Sequence, residues 1–208
     1  MKVVTLLSGG VDSTVLLYYL KTLPEVEEMK SLTIDYKQKH WREILSARKI
    51  SKRAGIDWKL FKLKNFGEIS QSFLTSEGES FVVPGRNLVF ISLAVAYASS
   101  INFDYVAISA TKDDEQKFLD CRKEFLQKLS EATKTAYNVG LLFPFVEKSK
   151  VDLVNLAKQL KVPLHLTYSC YNGGKRQCGE CLACQKNLEA FRQNDLDWYK
   201  IFKVKKEG

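Results

Sequence analysis

Short apolar runs alternate along the chain with longer segments whose apolar residues recur at helical spacing. The apolar runs, each of which predicts a strand, cover residues 2–7, 31–36, 57–63, 105–110 and 141–146. The helical patterns cover residues 12–22, 40–54, 87–100, 120–137 and 149–160. Because strands and helices alternate in this way, we predict an α/β fold with a parallel five-stranded sheet and helices on both faces.

Three segments depart from this simple alternation. The segment 87–100 is apolar nearly all round, so we predict a helix buried against the sheet. The segment 67–83 is polar and irregular, and it is typical of a mobile loop over a site. After Pro163 the pattern changes to a cysteine-bearing loop and a short final helix. We therefore predict an α/β domain over 1–163 and a C-terminal segment over 164–208 that packs on it as one compact unit.

Composition narrows the class of protein. None of the apolar runs approaches the roughly 18 residues that a membrane helix needs, and residues 1–5 lack the features of a signal peptide. We therefore expect a cytoplasmic protein without a membrane partner. The formal net charge of +8 is compatible with RNA, DNA or an anionic small molecule. The basic residues are scattered along helices and in the tail, so the pattern does not favour a nucleic-acid surface.

The sequence Ser8-Gly9-Gly10-Val11-Asp12-Ser13 lies where the first predicted strand becomes a helix. Glycines allow a sharp turn and a close approach of the backbone to a ligand. Free N–H groups and the dipole at the start of a helix both favour an anion. The loop thus predicts a binding site for the pyrophosphate of ATP, flanked by Leu7. An ordinary Gly-Gly turn with an N-cap is the plainer alternative.

Side chains near this loop extend the prediction. The hydroxyls of Ser8, Ser13 and Thr14 can donate to phosphate oxygens. Asp12 is unexpected in an anion site unless it binds Mg²⁺ or caps the helix. Since no lysine follows the glycines, the loop differs from the G-x-x-x-x-G-K-[ST] phosphate loop.

Four of the five cysteines lie close together near the C-terminus, at Cys170, Cys178, Cys181 and Cys184. Four thiolates suit a closed tetrahedral zinc site, which would be structural. An iron–sulfur cluster, disulfides and free thiols are the alternatives. His165 is a possible ligand, but we expect it to be a surface or packing histidine. We expect Cys121 to act as a small buried apolar residue.

Further candidates follow the predicted strands at their carboxyl ends, where sites in such folds lie. Arg86 follows a Pro-Gly turn at the start of a helix, where a cation is unfavourable unless an anion is near. This position suggests contact with a phosphate or a carboxylate. The remaining candidates at this edge are Asp35, Tyr36, Lys37, Gln38, Lys39, His40, Asp113, Asp114, Asp120, Arg122 and Lys150. Taken singly, each is equally well explained as solvated surface.

The loop at Ser8–Ser13 resembles the S-G-G-x-D-S signature of the PP-loop ATP-pyrophosphatase superfamily. Over essentially the whole chain, the sequence is similar to the 7-cyano-7-deazaguanine synthase (QueC) family. The matching pieces are residues 8–13, Asp35-Tyr36, Gln38, His40, 83–87, 120–122, Lys150, and 167–172 with the four clustered cysteines. Their order and joint presence make the resemblance specific.

The resemblance implies a Rossmann-like fold of the adenine nucleotide alpha hydrolase type, usually dimeric, with a zinc-bearing C-terminal part. It implies that 7-carboxy-7-deazaguanine is adenylated with ATP and Mg²⁺, amidated with ammonia, activated again and dehydrated to the nitrile. The implied catalytic residues are Asp12, Ser13, Arg86, Arg122 and Lys150. The implied nucleotide-binding residues are Leu7, Ser8, Gly9, Gly10, Val11, Asp12, Ser13, Thr14, Asp35, Tyr36, Gly85, Arg86 and Asn87. The implied substrate-binding residues are Gln38, His40, Asp114, Phe118, Asp120 and Arg122.

The sequence also departs from the family pattern. Lys37 and Lys39 replace the glycine and arginine of D-Y-G-Q-R-H, and Gln116-Lys117-Phe118-Leu119 replaces Ser-Gly-Tyr-Pro. Two other enzymatic readings therefore stay open. One is a related enzyme of anti-phage defence that joins the activated deazaguanine to a protein amine. The other is a tRNA-modifying PP-loop enzyme, and a nucleotide-binding module without activity is a fourth reading.

Overall fold

The structure is a computed structural model that describes residues 1–70, 72, 74, 82–115 and 118–204. The strands in these residues are β1 (Lys2–Leu6), β2 (Glu28–Asp35), β3 (Asp57–Lys62), β4 (Tyr105–Ala107) and β5 (Gly140–Leu142). The helices in them are α1 (Val11–Leu20), α2 (Arg42–Ala54), α3 (Phe66–Ile69), α4 (Arg86–Ser100), α5 (Lys112–Glu115), α6 (Lys123–Tyr137), α7 (Lys150–Gln159), α8 (Leu182–Arg192) and α9 (Trp198–Phe202).

The five strands form one parallel sheet in the order β3-β2-β1-β4-β5. In the register of the central strand, Val3 lies between Met29 on one side and Tyr105 on the other. Because all strands run in the same direction, their carboxyl ends meet at one edge of the sheet. The predicted parallel five-stranded sheet is confirmed.

Helices cover both faces of the sheet, as predicted. Val3 is fully buried on one face in a cluster with side chains of α1, α7 and α8, and α2 packs on this face against β2 and β3. Val4, the next residue, is fully buried on the opposite face with side chains of α4 and α6. Neighbouring residues of a strand point to opposite faces, so the two valines divide the core into two layers.

Several elements begin or end away from their predicted positions. β4 and β5 are shorter than predicted; the ladder between them ends where the Ile108 N–H donates to the Leu142 carbonyl, at 2.9 Å. The predicted helix over 120–137 is interrupted, because a 3₁₀ turn at Leu119–Cys121 is followed by extended backbone at Arg122. In the predicted loop over 67–83, α3 reaches Ile69; residues 71, 73 and 75–81 lie outside the described residues.

The C-terminal segment shares a hydrophobic core with the sheet. Cys170, Cys184 and Phe191 belong to the same buried cluster as Val15 of α1. Two helices, α8 and α9, take the place of the single final helix that the sequence predicts. The boundary at residue 163 stays a prediction. None of the helices in the described residues is long and apolar enough to cross a membrane.

Candidate functional site

A cavity of about 620 Å³ opens at the carboxyl edge of the sheet. It receives side chains from the loops after β1, β2 and β4, from the starts of α4 and α7, and from α8. The predicted site residues that line it are Leu7, Ser8, Gly10, Val11, Asp12, Ser13, Tyr36, His40, Arg86, Asn87, Asp113, Asp114, Phe118 and Lys150. The fold therefore gathers most of the predicted residues in one place.

The loop between β1 and α1 is held by its own side chains. The hydroxyl oxygens of Ser8 and Ser13 lie 2.9 Å apart, and the Ser8 oxygen accepts from the Gly10 N–H at 3.2 Å. The Thr14 hydroxyl donates to the Gly10 carbonyl at 2.6 Å. Gly10 is the N-cap of α1 and carries no side-chain cap, so the start of this helix faces the cavity with its N–H groups.

The two glycines of the loop have different structural roles. Gly9 has a φ of +93°, and a Cβ there would overlap the carbonyl oxygen of Glu43 and lie 2.7 Å from the nitrogen of Ala47. Gly10 has an ordinary φ of −76°, and a Cβ there would meet no atom closer than 3.4 Å. Gly9 is therefore required for the turn and for the close approach of α2, whereas Gly10 leaves room beside the helix start.

Asp12 neither caps α1 nor stands alone in the cavity. The Lys150 ammonium donates to both of its carboxylate oxygens, at 2.6 and 2.8 Å. The Lys150 side chain is 15% exposed and that of Asp12 is 29% exposed, so the pair is largely shielded from water. The backbone N–H of Lys150 donates to Asp113 at 2.7 Å, which fixes the start of α7 against the loop after β4.

At the start of α4, a buried network compensates the positive charge of Arg86. The Asp120 carboxylate accepts from the backbone and side-chain N–H groups of Asn87, at 3.1 and 3.2 Å. The Glu43 carboxylate, which acts electrostatically on Arg86, is the anion that a cation at a helix N-terminus requires. Arg86 donates to the Tyr36 hydroxyl, and burial raises the pKa of Tyr36 to about 12. Burial likewise raises the pKa of the Cys121 thiol, which accepts from Asn87, to about 12.

Glu43 organises the segment that follows β2. Its carboxylate accepts from the Gln38 amide at 2.8 Å, and the His40 ring nitrogen Nε2 lies 3.2 Å from the same oxygen. The Gln38 carbonyl oxygen in turn accepts from the Tyr36 N–H at 3.0 Å. The rings of His40 and Tyr171 lie 5.9 Å apart, so an aromatic wall continues across to the C-terminal segment.

The opposite end of the cavity is acidic. Asp114 accepts from the Thr111 hydroxyl at 2.7 Å. Burial, together with the charge of Asp12, raises the pKa of the Asp114 carboxyl. Lys150 and Lys186 lie near enough to oppose that shift. Two lysines and several carboxylates thus face each other where α7 and α8 meet the cavity.

The four clustered cysteines converge on one point. Their sulfur atoms all lie within 4.8 Å of one another, and two of the residues, Cys170 and Cys184, are fully buried. The Cys178 sulfur accepts from the backbone N–H groups of Glu180 and Cys181, at 3.4 and 3.3 Å. Convergent sulfurs with N–H donors around them could hold a metal ion. His165 is exposed and lies outside it, as expected.

The segment that leads into this metal site forms one wall of the cavity. The Tyr168 N–H donates to the carbonyl of Gly9 at 2.9 Å. Gly9 belongs to the Ser8–Ser13 loop, which we call the phosphate loop after its predicted ligand. Gly173 has a φ of +68°, and a Cβ there would overlap the carbonyl oxygen of Lys39. Tyr168, Ser169 and Tyr171 all line the cavity. The metal site and the phosphate loop are therefore joined by one short stretch of backbone.

Besides the four clustered cysteines, nine of the predicted candidates do not line the cavity, namely Gly9, Thr14, Asp35, Lys37, Gln38, Lys39, Gly85, Asp120 and Arg122. Thr14 is fully buried, and the Asp35 carboxylate accepts from the Lys37 N–H at 3.0 Å. Gly85, with a φ of +70°, is the N-cap of α4. Arg122 is exposed and donates to the Glu115 carbonyl at 3.5 Å. The predicted ligand contacts of these residues stay predictions.

Other residues that line the cavity were not among the predicted site residues. They are, most prominently, Glu43, Phe90, Tyr168, Ser169, Tyr171, Lys186 and Asn187. Asn187 is 1% exposed, and within the part of the chain that the structure describes neither of its side-chain polar atoms has a partner. One signal in the sequence points to it: an asparagine stands among apolar and small residues on the inner face of a helix, four positions after Ala183.

A parallel sheet whose first strand runs through a glycine loop into a helix, with a cavity at the carboxyl edge, defines an α/β protein of the PP-loop type. Two solved structures show the same fold. A U34-tRNA thiolase from Methanococcus maripaludis, described with its [4Fe-4S] cluster, is 18% identical with a TM-score of 0.57, covering 98% of this chain and 70% of that one. An NMN synthetase from Francisella tularensis is 15% identical with a TM-score of 0.56, covering 97% and 80%.

Sequence comparison identifies the family. The family model of the queuosine biosynthesis protein QueC matches residues 2–195, and the chain belongs to this family. A 7-cyano-7-deazaguanine synthase from Archaeoglobus fulgidus is 37% identical, covering 100% of this chain and 96% of the relative. Those from Methanoregula boonei and Caldicellulosiruptor bescii are 37% and 35% identical, each covering 93% of this chain and 95% and 93% of the relative. The names of these relatives do not favour the protein-conjugating or tRNA-modifying readings.

Proposed function

We propose that the protein is an ATP-dependent ligase that converts 7-carboxy-7-deazaguanine and ammonia to 7-cyano-7-deazaguanine. The observation that carries the proposal is the whole-length similarity to synthases of that name. A cavity that combines a phosphate loop with an aromatic wall agrees with it, since both a nucleotide and a planar base must be held. We propose ammonia as the acceptor.

The proposed reaction uses ATP twice. A carboxylate oxygen of the substrate attacks the α-phosphorus of ATP, and pyrophosphate leaves. Ammonia then adds to the acyl adenylate, AMP leaves, and the amide forms with loss of a proton. In the second round the amide oxygen attacks the α-phosphorus of a second ATP, and pyrophosphate leaves again. Loss of AMP and of protons from nitrogen then gives the nitrile.

The phosphate loop would hold the departing pyrophosphate. The N–H groups at the start of α1 and the hydroxyls of Ser8 and Ser13 face the cavity, where they can donate to phosphate oxygens. Lys150 lies beside them and would offset the charge that develops on the leaving group. Arg86 would contact the carboxylate or the α-phosphate from the other side of the cavity.

Aromatic side chains would hold the planar rings of the base and the nucleotide. Tyr36 and Phe90 have ring centroids 5.2 Å apart, and both line the cavity together with Tyr171 and Phe118. Flat rings pack against such walls with a gain beyond that of simple burial. Burial raises the pKa of Tyr36 and that of Tyr171 to about 12, so both phenols are neutral at physiological pH.

Two metals are part of the proposal. Zn²⁺ fits the cysteine site, because a Zn–S distance of about 2.3 Å in a tetrahedron places sulfurs about 3.8 Å apart, and the sulfurs of Cys178 and Cys184 lie 4.0 Å apart. An iron–sulfur cluster needs wider spacing, since each thiolate binds a different iron. The Mg²⁺ that accompanies ATP would take Asp12 as its protein ligand, because magnesium favours one or two carboxylates together with phosphates.

The direct test is to incubate the purified protein with 7-carboxy-7-deazaguanine, ATP and ammonium chloride. We expect AMP, pyrophosphate and, by mass spectrometry, first the amide and then the nitrile. If the base elicits no AMP, the proposal is wrong. The zinc assignment is tested by elemental analysis, and visible absorption typical of an iron–sulfur cluster would contradict it.

The homodimer implied by the family resemblance also stays a proposal. Several large apolar side chains are exposed on the described surface, among them Trp41, the N-cap of α2, and Leu45 within α2. Analytical ultracentrifugation at micromolar concentration tests it directly. A sedimenting mass of one chain would contradict the dimer without affecting the proposed reaction.

A further inference from the structure

Ser169 lies directly beside the phosphate loop although it is distant from it in the sequence. A Cβ at Gly10 would lie 3.4 Å from the hydroxyl oxygen of Ser8 and 3.5 Å from that of Ser169. Both serines line the cavity. Two hydroxyls, one from the loop itself and one from the C-terminal segment, therefore flank the glycine at the start of α1.

The hydroxyls of these two serines differ in their partners. That of Ser8 is engaged within the loop, by the Ser13 hydroxyl and the Gly10 N–H. The backbone N–H of Ser169 donates to Gln177 at 3.4 Å, but none of the residues in the described ranges hydrogen-bonds its hydroxyl. A half-buried hydroxyl at the wall of a cavity is free to donate to a ligand there.

We infer that the Ser169 hydroxyl donates to a phosphate oxygen of the nucleotide bound at the Ser8–Ser13 loop. This inference rests on the proposed ATP-dependent function and adds a second wall to its phosphate site. The first wall is the loop and the start of α1. The second is the backbone stretch that carries Ser169, whose hydroxyl lies near the same Cβ position of Gly10 as the hydroxyl of Ser8.

Ser169 is held in place from both sides. The residue before it, Tyr168, donates its N–H to the Gly9 carbonyl at 2.9 Å. The residue after it, Cys170, is fully buried within the cluster of four sulfurs. Because the backbone on both sides of Ser169 is fixed before the ligand arrives, only the rotation of a short side chain is lost on binding, and little entropy opposes the hydrogen bond.

The experiment compares the binding of three probes, pyrophosphate, ATP and adenosine, to the wild type and to Ser169→Ala by calorimetry. One hydrogen bond to a charged group corresponds to about a tenfold change in affinity. We therefore expect Ser169→Ala to bind pyrophosphate and ATP about tenfold more weakly, and adenosine unchanged. Ser169→Thr keeps the hydroxyl and is expected to recover most of the loss.

Asn172→Ala is the matched control. Asn172 donates to the Cys178 sulfur at 3.5 Å and does not line the cavity. In the zinc-loaded protein, this variant should bind pyrophosphate like the wild type. If the C-terminal segment had only a structural role, Ser169→Ala and Asn172→Ala would instead lose the same affinity for pyrophosphate.

The outcomes separate the inference from the proposed function. A wild-type protein that binds pyrophosphate but not ATP would overturn the ATP-dependent function and leave the phosphate contact standing. Equal pyrophosphate affinities of wild type and Ser169→Ala would overturn the inference, as would an equal loss for adenosine. If Ser169→Ala does not fold, Ser169→Cys takes its place, because a thiol is a weaker donor than a hydroxyl. Wild-type affinity of Ser169→Cys for pyrophosphate would then overturn the inference.

Discussion

Two walls of one cavity are built in opposite ways. The Ser8–Ser13 loop is local: its hydroxyls bond each other and its own backbone, and it is continuous with β1 and α1. The facing stretch, Tyr168–Tyr171, has no regular secondary structure. It is held by contacts far along the chain and by the cysteine cluster that begins at Cys170.

Because the two walls are held by different interactions, different substitutions are expected to disrupt them. The loop wall forms with the sheet, because strand, turn and helix fold as one unit. With the proposed zinc bound, the other wall would depend on the metal, since structural zinc sites contribute folding free energy that the apo chain lacks. Changes to the metal site should therefore damage half of the cavity, and changes in the loop should damage the other half.

The largest effect is expected for Cys184→Ala. Loss of one thiolate should release the metal, and we expect the free energy of unfolding to fall by about 5 kcal/mol or more, given the affinity of structural zinc sites. Elemental analysis and urea denaturation measure the two consequences. Cys121→Ala, outside the cluster, is the control and should keep its metal. A Cys184→Ala protein that keeps its metal and its stability would contradict the dependence of this wall on the four cysteines.

Gly9→Ala tests the local wall. The positive φ and the overlap with the Glu43 carbonyl should together cost about 3 kcal/mol of stability. Gly10→Ala, with an ordinary φ and open space, should cost less than about 1 kcal/mol. Chemical denaturation of the two variants side by side measures the difference. Equal losses of stability in the two variants would show that the close packing of α2 against Gly9 is unimportant.

Lys150→Met tests the charge at the junction of the two walls. Removal of the cation beside the phosphate loop should lower kcat/KM about 100-fold, the size typical of a lost electrostatic contact to a transition state. Lys148→Met removes the same charge from an exposed position nearby and should leave the rate within about twofold. AMP release measures both. Similar rates for the two variants would remove Lys150 from the chemistry.

Gly173→Ala tests the contact between the C-terminal segment and the loop after β2. A Cβ there would overlap the Lys39 carbonyl, and the φ of +68° is unfavourable for alanine. We expect a cost of about 2 kcal/mol. Gly174→Ala, where a Cβ would meet no atom closer than 3.5 Å, is the control in the same thermal denaturation series. If Gly174→Ala costs as much, the contact with Lys39 is unimportant.

Lys37→Gly should be the smallest change and a stabilising one. Lys37 has a φ of +60° at the position where the family pattern has glycine. Relief of that strain, about 1–2 kcal/mol, is partly offset by the entropy of glycine, so we expect a gain of about 0.5 kcal/mol. Lys64→Gly, at an exposed position without a positive φ, should instead lose stability. Urea denaturation resolves both signs, and a loss in Lys37→Gly would contradict the strain.

Much of the fold was predictable because its signals are local. Hydrophobic periodicity placed every strand of the sheet, and Ser149 caps α7 with a reciprocal bond to Asp152 at the position where a helix was predicted. The errors lie at element ends. β4 and β5 stop early, and Arg122 interrupts a predicted helix, because the chain there bends to place Asp120 on Asn87. Such bends are set by contacts with residues far along the chain, so no local sequence pattern predicts them.

The candidate site shows the same division. The cysteine cluster and the glycine loop could be predicted as candidate sites from the sequence alone. Metal and phosphate sites need these residue types at short intervals. Glu43, Ser169 and Asn187 were missed, because a glutamate, a serine or an asparagine is common in helices and loops. Glu43 and Ser169 are distinguished only by their positions around the cavity, whereas Asn187 also has the signal of its place on the inner face of a helix.

By itself, the sequence determined the order of the five strands and of the long helices between them, the glycine loop between β1 and α1, and the set of four clustered cysteines. Only the tertiary structure decided that Lys150 pairs with Asp12, 138 positions away, and that Ser169 lies beside Gly10. The physical reason is the range of the interactions. Periodicity and short motifs act between near neighbours, whereas ion pairs and cavity walls depend on which elements pack together.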